Sequence, residues 1–167
     1  MRDRLLELAR YNAWANERLW EKAQAVSDAA FNEDRKAFFG SLSGTLNHVL
    51  VGTRTWLDRC EGADQSWFEG LDQILERERG DLERAMAGQD ARLVGFVERQ
   101  SDSALAGDID YKNTSGQPFS SPLYWILSHV VNHATHHRGQ ASDIISGLGH
   151  ATPEMDLIYY LRQRGLA

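Results

Sequence analysis

The stretch from Ser121 to Leu148 constrains the fold most. Leu123, Ile126, Leu127, Val130, Val131, Ala134, Ala141, Ile144, Ile145 and Leu148 recur at the three- and four-residue spacing of a helix. A helix this long with one apolar arc must bury that arc against other elements. Ser121 fits the N-cap, Pro122 the first helical position, and the Gly147-Leu148-Gly149 run a stop near Gly147. Three more helical patterns run from about Arg2 to Ala25, Ser41 to Glu61 and Leu71 to Gln100. Ser27 to Gly40 and Glu61 to Trp67 read as connections. Ile109, Tyr111 and Phe119 flank Thr114-Ser115-Gly116-Gln117, which predicts a small hairpin or an ordered loop over Asp108 to Pro122. Thr152-Pro153-Glu154 opens a short helix ending near Arg164. The expectation is an all-α four-helix bundle with a short C-terminal helix, and one domain over residues 1–167.

Composition narrows the functions. The chain carries 18 Lys+Arg against 24 Asp+Glu, a net charge of −6, which disfavours a general nucleic-acid binder because phosphate neutralisation needs a basic face. Between Asp64 and Asp102 there are ten acids and five Arg, read as a solvated outer helix face. One Cys, Cys60, excludes an internal disulfide framework and any multi-Cys metal site. Charges interrupt every apolar run at the N-terminus, so no signal peptide is expected. No apolar span fits a bilayer, and a cytoplasmic location is the expectation.

Four of the six His fall between His129 and His137. His133 and His137 are four apart, so their Cβ atoms lie about 5–6 Å apart on one face, a spacing that suits one metal ion. His129 and His137 are about 12 Å apart along the axis, too far to share that ion comfortably. A third ligand should come from another helix. On a wheel of about 100° per residue, His137 falls inside the apolar arc and His133 about 20° beyond its edge. His129 lies about 60° and His136 about 80° beyond it, which disfavours pairing His133 with His136. His48 lies off the apolar stripe of its own helix, among Ser41, Gly44, Thr45, Gly52 and Thr55. That small-residue face leaves space for a cavity or for close approach of another helix. Structural roles for these histidines remain the alternative at this point. No Glu stands three residues before a His, which disfavours a ferritin-like di-iron site.

LSHVVNHATHHRGQASDIISGLGH (Leu127 to His150) resembles the helix that marks the DinB-like family of metal-binding four-helix bundles. RYNAWANERLW (Arg10 to Trp20), GTLNHVLVGTRTWLDR (Gly44 to Arg59) and TPEMDLIYYLR (Thr152 to Arg162) resemble its other helices. The resemblance implies a divalent-metal site of His48, His133 and His137. Zinc or nickel is the first expectation, with iron or cobalt as alternatives. It further implies a homodimer and, by likeness to bacillithiol- and mycothiol-dependent members, chemistry on a low-molecular-weight thiol.

The remaining residues have plainer readings. Trp14, Trp20, Trp56 and Trp125 are expected in the core or an interface, and Cys60 in packing. Arg138 is expected in a structural salt bridge, and Gln140 beside the ligands or at a dimer contact. Three functions follow: a metal-dependent thiol transferase or hydrolase acting on a small molecule, a non-catalytic metal-binding stress-response dimer, and a bundle whose His are structural. No motif supplies a Ser-His-Asp or Cys-His constellation.

Overall fold

The computed structural model describes residues 1–167. Four long helices form its frame: α1 (Arg2–Ala23), α3 (Leu42–Glu61), α4 (Arg79–Glu98) and α6 (Leu123–Gly147). α1 packs on α4 and α6, and α3 packs on the same two, so each long helix has two long neighbours. Shorter helices α2 (Asp28–Asn32), α5 (Asp102–Ala106) and α7 (Leu157–Gln163) fill the connections. The all-α expectation needs one amendment. β1 (Asp108–Lys112) and β2 (Pro118–Pro122) pair antiparallel, with Tyr111 opposite Phe119 and Asp108 opposite Pro122. The chain is mostly helical with a small two-stranded sheet.

Local chemistry accounts for several boundaries. Ser27, Ser41 and Ser101 each accept a hydrogen bond from a first-turn amide, which fixes the starts of α2, α3 and α5. Gly62 ends α3 at φ +64°, a left-handed conformation that glycine adopts without steric penalty. Three expected boundaries move. α6 starts at Leu123, because Ser121 and Pro122 belong to β2, where Ser121 pairs with Ile109. α7 starts at Leu157, because the carbonyls of Glu154 and Met155 accept hydrogen bonds from Arg18 and Tyr11. α4 starts at Arg79 rather than Leu71. Asn47 Oδ1 accepts from the amides of Leu75 (2.9 Å) and Glu76 (3.0 Å), and Asn47 Nδ2 donates to the Glu76 carbonyl at 3.0 Å. One buried side chain thus holds the segment out of a helix.

The core has two apolar clusters. One centres on Leu5, Leu57, Leu93 and Leu127, the other on Leu19, Leu46, Leu82 and Ile145. Buried Asn12, Asn16, Asp90 and Arg138 lie at the level between them. Arg138 donates to Asn12 Oδ1 (2.6 Å), Asn16 Oδ1 (3.0 Å) and Thr135 Oγ1 (2.8 Å). The same two Asn amides donate to Asp90 at 2.8–3.0 Å. Arg138 and Asp90 therefore meet through two amides, not in the direct salt bridge expected. Burial pushes the Asp90 carboxyl up to about 6, while Asn16, Arg138 and Asn12 pull it down. Asp90 is also an exception to the solvated acidic face. Trp20 is core and Trp14 packs at its edge, whereas Trp125 is 61 % exposed.

Candidate metal centre

His48 on α3 and His133 and His137 on α6 converge where those two helices pack. His133 Nε2 lies 3.1 Å from His48 Nε2 and 3.1 Å from His137 Nε2. One nitrogen from each ring falls within 4.8 Å of the others, a span over which three ligands can hold one metal ion. His48 and His137 are buried, and His133 is half-buried between them.

Three features of the chain set this geometry. His133 and His137 are one helical turn apart, so one face presents both. Gly52 then admits His133: a Cβ there would stand 2.7 Å from His133 Cε1 and 3.1 Å from its Nδ1. Gly44 does similar service for the preceding loop, because a Cβ would run into the Phe39 carbonyl. With that loop seated, the Phe39 ring stacks on His48 at 3.8 Å between centroids and 16° between planes. Its edge meets His137 at 5.5 Å.

The outer nitrogens have partners. His48 Nδ1 lies 2.7 Å from the Leu71 carbonyl, and His137 Nδ1 lies 2.7 Å from Gln140 Oε1. Both oxygens accept only, so these rings carry their protons on Nδ1 and turn lone pairs inward at Nε2. His133 Nε2 holds at most one proton and cannot direct it at both neighbours. At least one of the two 3.1 Å pairs therefore sets lone pair against lone pair. A cation among the three nitrogens removes that conflict, so the donor set fits a metal.

Burial lowers the basicity of all three rings. His133 is lowered to about 3, by desolvation first and then by its imidazole neighbours. Burial also lowers His48 and His137, while the hydrogen bonds to the Leu71 carbonyl and to Gln140 pull the other way. Neutral imidazole is the ligating form.

The three His line a cavity of about 620 Å³. Its other walls include Phe39, Trp56, Tyr111 and Phe119. Trp56 packs against the core as expected and also lines the cavity, its ring against Tyr111 and His129 at 5.1 Å each. His129 lines the cavity too, 5.6 Å from His133 between centroids, but outside the three-nitrogen cluster. His136 is exposed and meets Gln140 Nε2 at 3.3 Å. Cys60 is half-buried among core residues, and burial pushes its thiol up to about 12, which disfavours a thiolate. Sequence reasoning missed Phe39 and the Leu71 carbonyl, both in connecting segments without a motif. The small residues Gly44 and Gly52 were the available signal for close approach.

A mostly helical protein with three convergent imidazoles facing a cavity defines a class of candidate metal proteins. Within it, residues 1–165 match the model of the DinB family, and the chain belongs to that family. It is 25 % identical over 166 residues to protein DinB of Bacillus subtilis (strain 168), covering 96 % of this chain and 95 % of that protein. A crystallised DinB-like protein of Bacillus cereus ATCC 10987 shares the fold, with a TM-score of 0.60, 18 % identity, and 84 % and 89 % of the two chains covered. A conserved protein of Enterococcus faecalis gives a TM-score of 0.67 at 15 % identity, covering 83 % and 92 %.

Proposed function

We propose that this DinB-family protein holds one divalent metal ion on His48, His133 and His137 and uses it in a reaction of the thiol-transferase type. The observation that carries the reading is the meeting of three neutral imidazoles, with an unresolved lone-pair conflict, in the wall of an aromatic cavity. Zinc or nickel is favoured, and iron and cobalt also suit nitrogen donors. Three neutral ligands leave a divalent ion its charge, which lowers the pKa of a thiol or water that reaches it.

The chain's own residues supply the rest. Leu71 and Gln140 hold the ring protons on Nδ1 and aim two nitrogens inward. Phe39 covers His48 and keeps its ring oriented. Trp56, Tyr111 and Phe119 offer an apolar surface to the electrophile and exclude water beside it. A low-molecular-weight thiol is the proposed co-substrate, and a homodimer the proposed assembly. Hydrolysis is the variant on the same centre. A non-catalytic metal-binding dimer needs no chamber of about 620 Å³, so the cavity favours turnover.

Elemental analysis of the purified protein tests the metal. One equivalent is expected, falling well below half in His48→Ala, His133→Ala and His137→Ala. Sub-stoichiometric metal that these changes leave unaltered overturns the site. A screen of several low-molecular-weight thiols against electrophiles tests the reaction. No metal-dependent product with thiols or hydrolysable esters would favour the non-catalytic reading.

A further inference from the structure

Arg59 sits in the wall of the same cavity. It follows His48 by eleven residues on α3, about 20° around the helix and about 16 Å along it. Both side chains thus rise from one face of α3, and the helical tilt of the Cα–Cβ bond leans Arg59 back toward the histidines. Its guanidinium carbon lies 4.7 Å from the Trp56 ring centroid and 5.7 Å from that of Tyr111. Trp56 in turn touches His129, and His129 touches His133, so a continuous line of rings joins the two ends.

The guanidinium has no anion. Its Nε is buried without a hydrogen-bond partner. The two acids nearest in sequence are engaged elsewhere: Asp58 with Arg54 and Arg92, Glu61 with Arg92 and Arg99. A half-buried cation with unmatched donors favours an anionic partner from outside the chain. Aromatic contacts hold the fork in place without satisfying its hydrogen bonds.

We infer that Arg59 binds the carboxylate of the cavity's ligand, so that the substrate class is a small carboxylic acid with an apolar middle. The inference deepens the proposed function, and only the far end of the ligand rests on the metal. The acid lies against Arg59, the apolar part against Trp56 and Tyr111, and the reacting group toward the three histidines.

The test titrates 3-phenylpropionate and its neutral amide into the full-length protein, as purified and after chelation, by calorimetry. The carboxylate should bind about ten-fold or more tightly than the amide in both forms, as a charge-assisted pair does. Arg59→Gln should erase that preference and leave amide affinity unchanged. Lys112→Gln, which removes an exposed cation of the neighbouring hairpin, should keep it. Equal binding of acid and amide overturns the inference, as does a preference that survives Arg59→Gln. So does a preference lost on chelation but kept in Arg59→Gln, since the metal would then read the anion. The wild-type comparison stands alone if Arg59→Gln does not fold. A protein that holds no metal yet prefers the acid through Arg59 would sink the metal reading and leave this one intact.

Discussion

Gly52 shows how a residue without a functional group can control a site. Alanine there would favour the helix by about 1 kcal/mol on propensity alone. Yet its Cβ would stand 2.7 Å from His133 Cε1, and a terminal ring yields more easily than a backbone. Gly52→Ala should therefore leave the thermal midpoint near or above wild type while metal affinity drops at least ten-fold, measured by chelator competition. An unchanged affinity would show that the contact is immaterial. His133 itself gives a pH signature. Its folded pKa, lowered to about 3, lies below the ordinary 6.5. Between those values the unfolded chain binds more protons than the folded one. The stability associated with the neutral ring is thus fully present above about 6.5 and is lost as pH falls toward about 3. In metal-free protein, urea unfolding should show a steeper loss below pH 6.5 for wild type than for His133→Gln.

Among the elements, the four long helices were legible because apolar spacing over twenty or more residues outweighs local exceptions. The spacing of His133 and His137 was legible for the same reason, since one helix fixes it. What escaped were segments governed by tertiary hydrogen bonds. Residues 71–78 continue a helical pattern in sequence, but Asn47 reaches across and holds their amides. Nothing in the segment itself announces a partner some thirty residues upstream. The consequence reaches the candidate centre, because that non-helical segment supplies the Leu71 carbonyl to His48. Asn47→Ala should abolish hydrogen-exchange protection at the amides of Leu75 and Glu76. It should also weaken metal binding several-fold, because His48 loses its proton acceptor. Protection that persists would show that another contact shapes the segment. The pairing of β1 with β2 was readable only as hairpin or loop, since Tyr111, Phe119 and one turn glycine fit both.

At the scale of the whole molecule, the candidate centre stands next to the polar belt between the two apolar clusters. Arg138 follows His137 directly, and through Asn12 and Asn16 it ties α6 to α1, while Asp90 ties both amides to α4. The site's helix is thereby indexed against the two helices that contribute no candidate ligand. Arg138→Met would leave Asp90 buried with its countercharge gone and two Asn oxygens without their donor. Removing one member of such a buried set destabilises by about 3–5 kcal/mol. Urea unfolding of the metal-free variant should show that loss, and a loss below about 1 kcal/mol would show that the belt relaxes freely. A metal on the three histidines would act from a neighbouring face of the same helix. An ion that binds only the folded arrangement stabilises it by about 4 kcal/mol at a thousand-fold excess over its Kd. Its cross-link would run from α3 to α6, a packed pair that the belt does not join. Excess zinc should therefore raise the midpoint of wild type and of Arg138→Met by similar free energies. A variant that zinc fails to stabilise, although it folds, would mean that the belt holds His137 in register rather than merely holding the helices together.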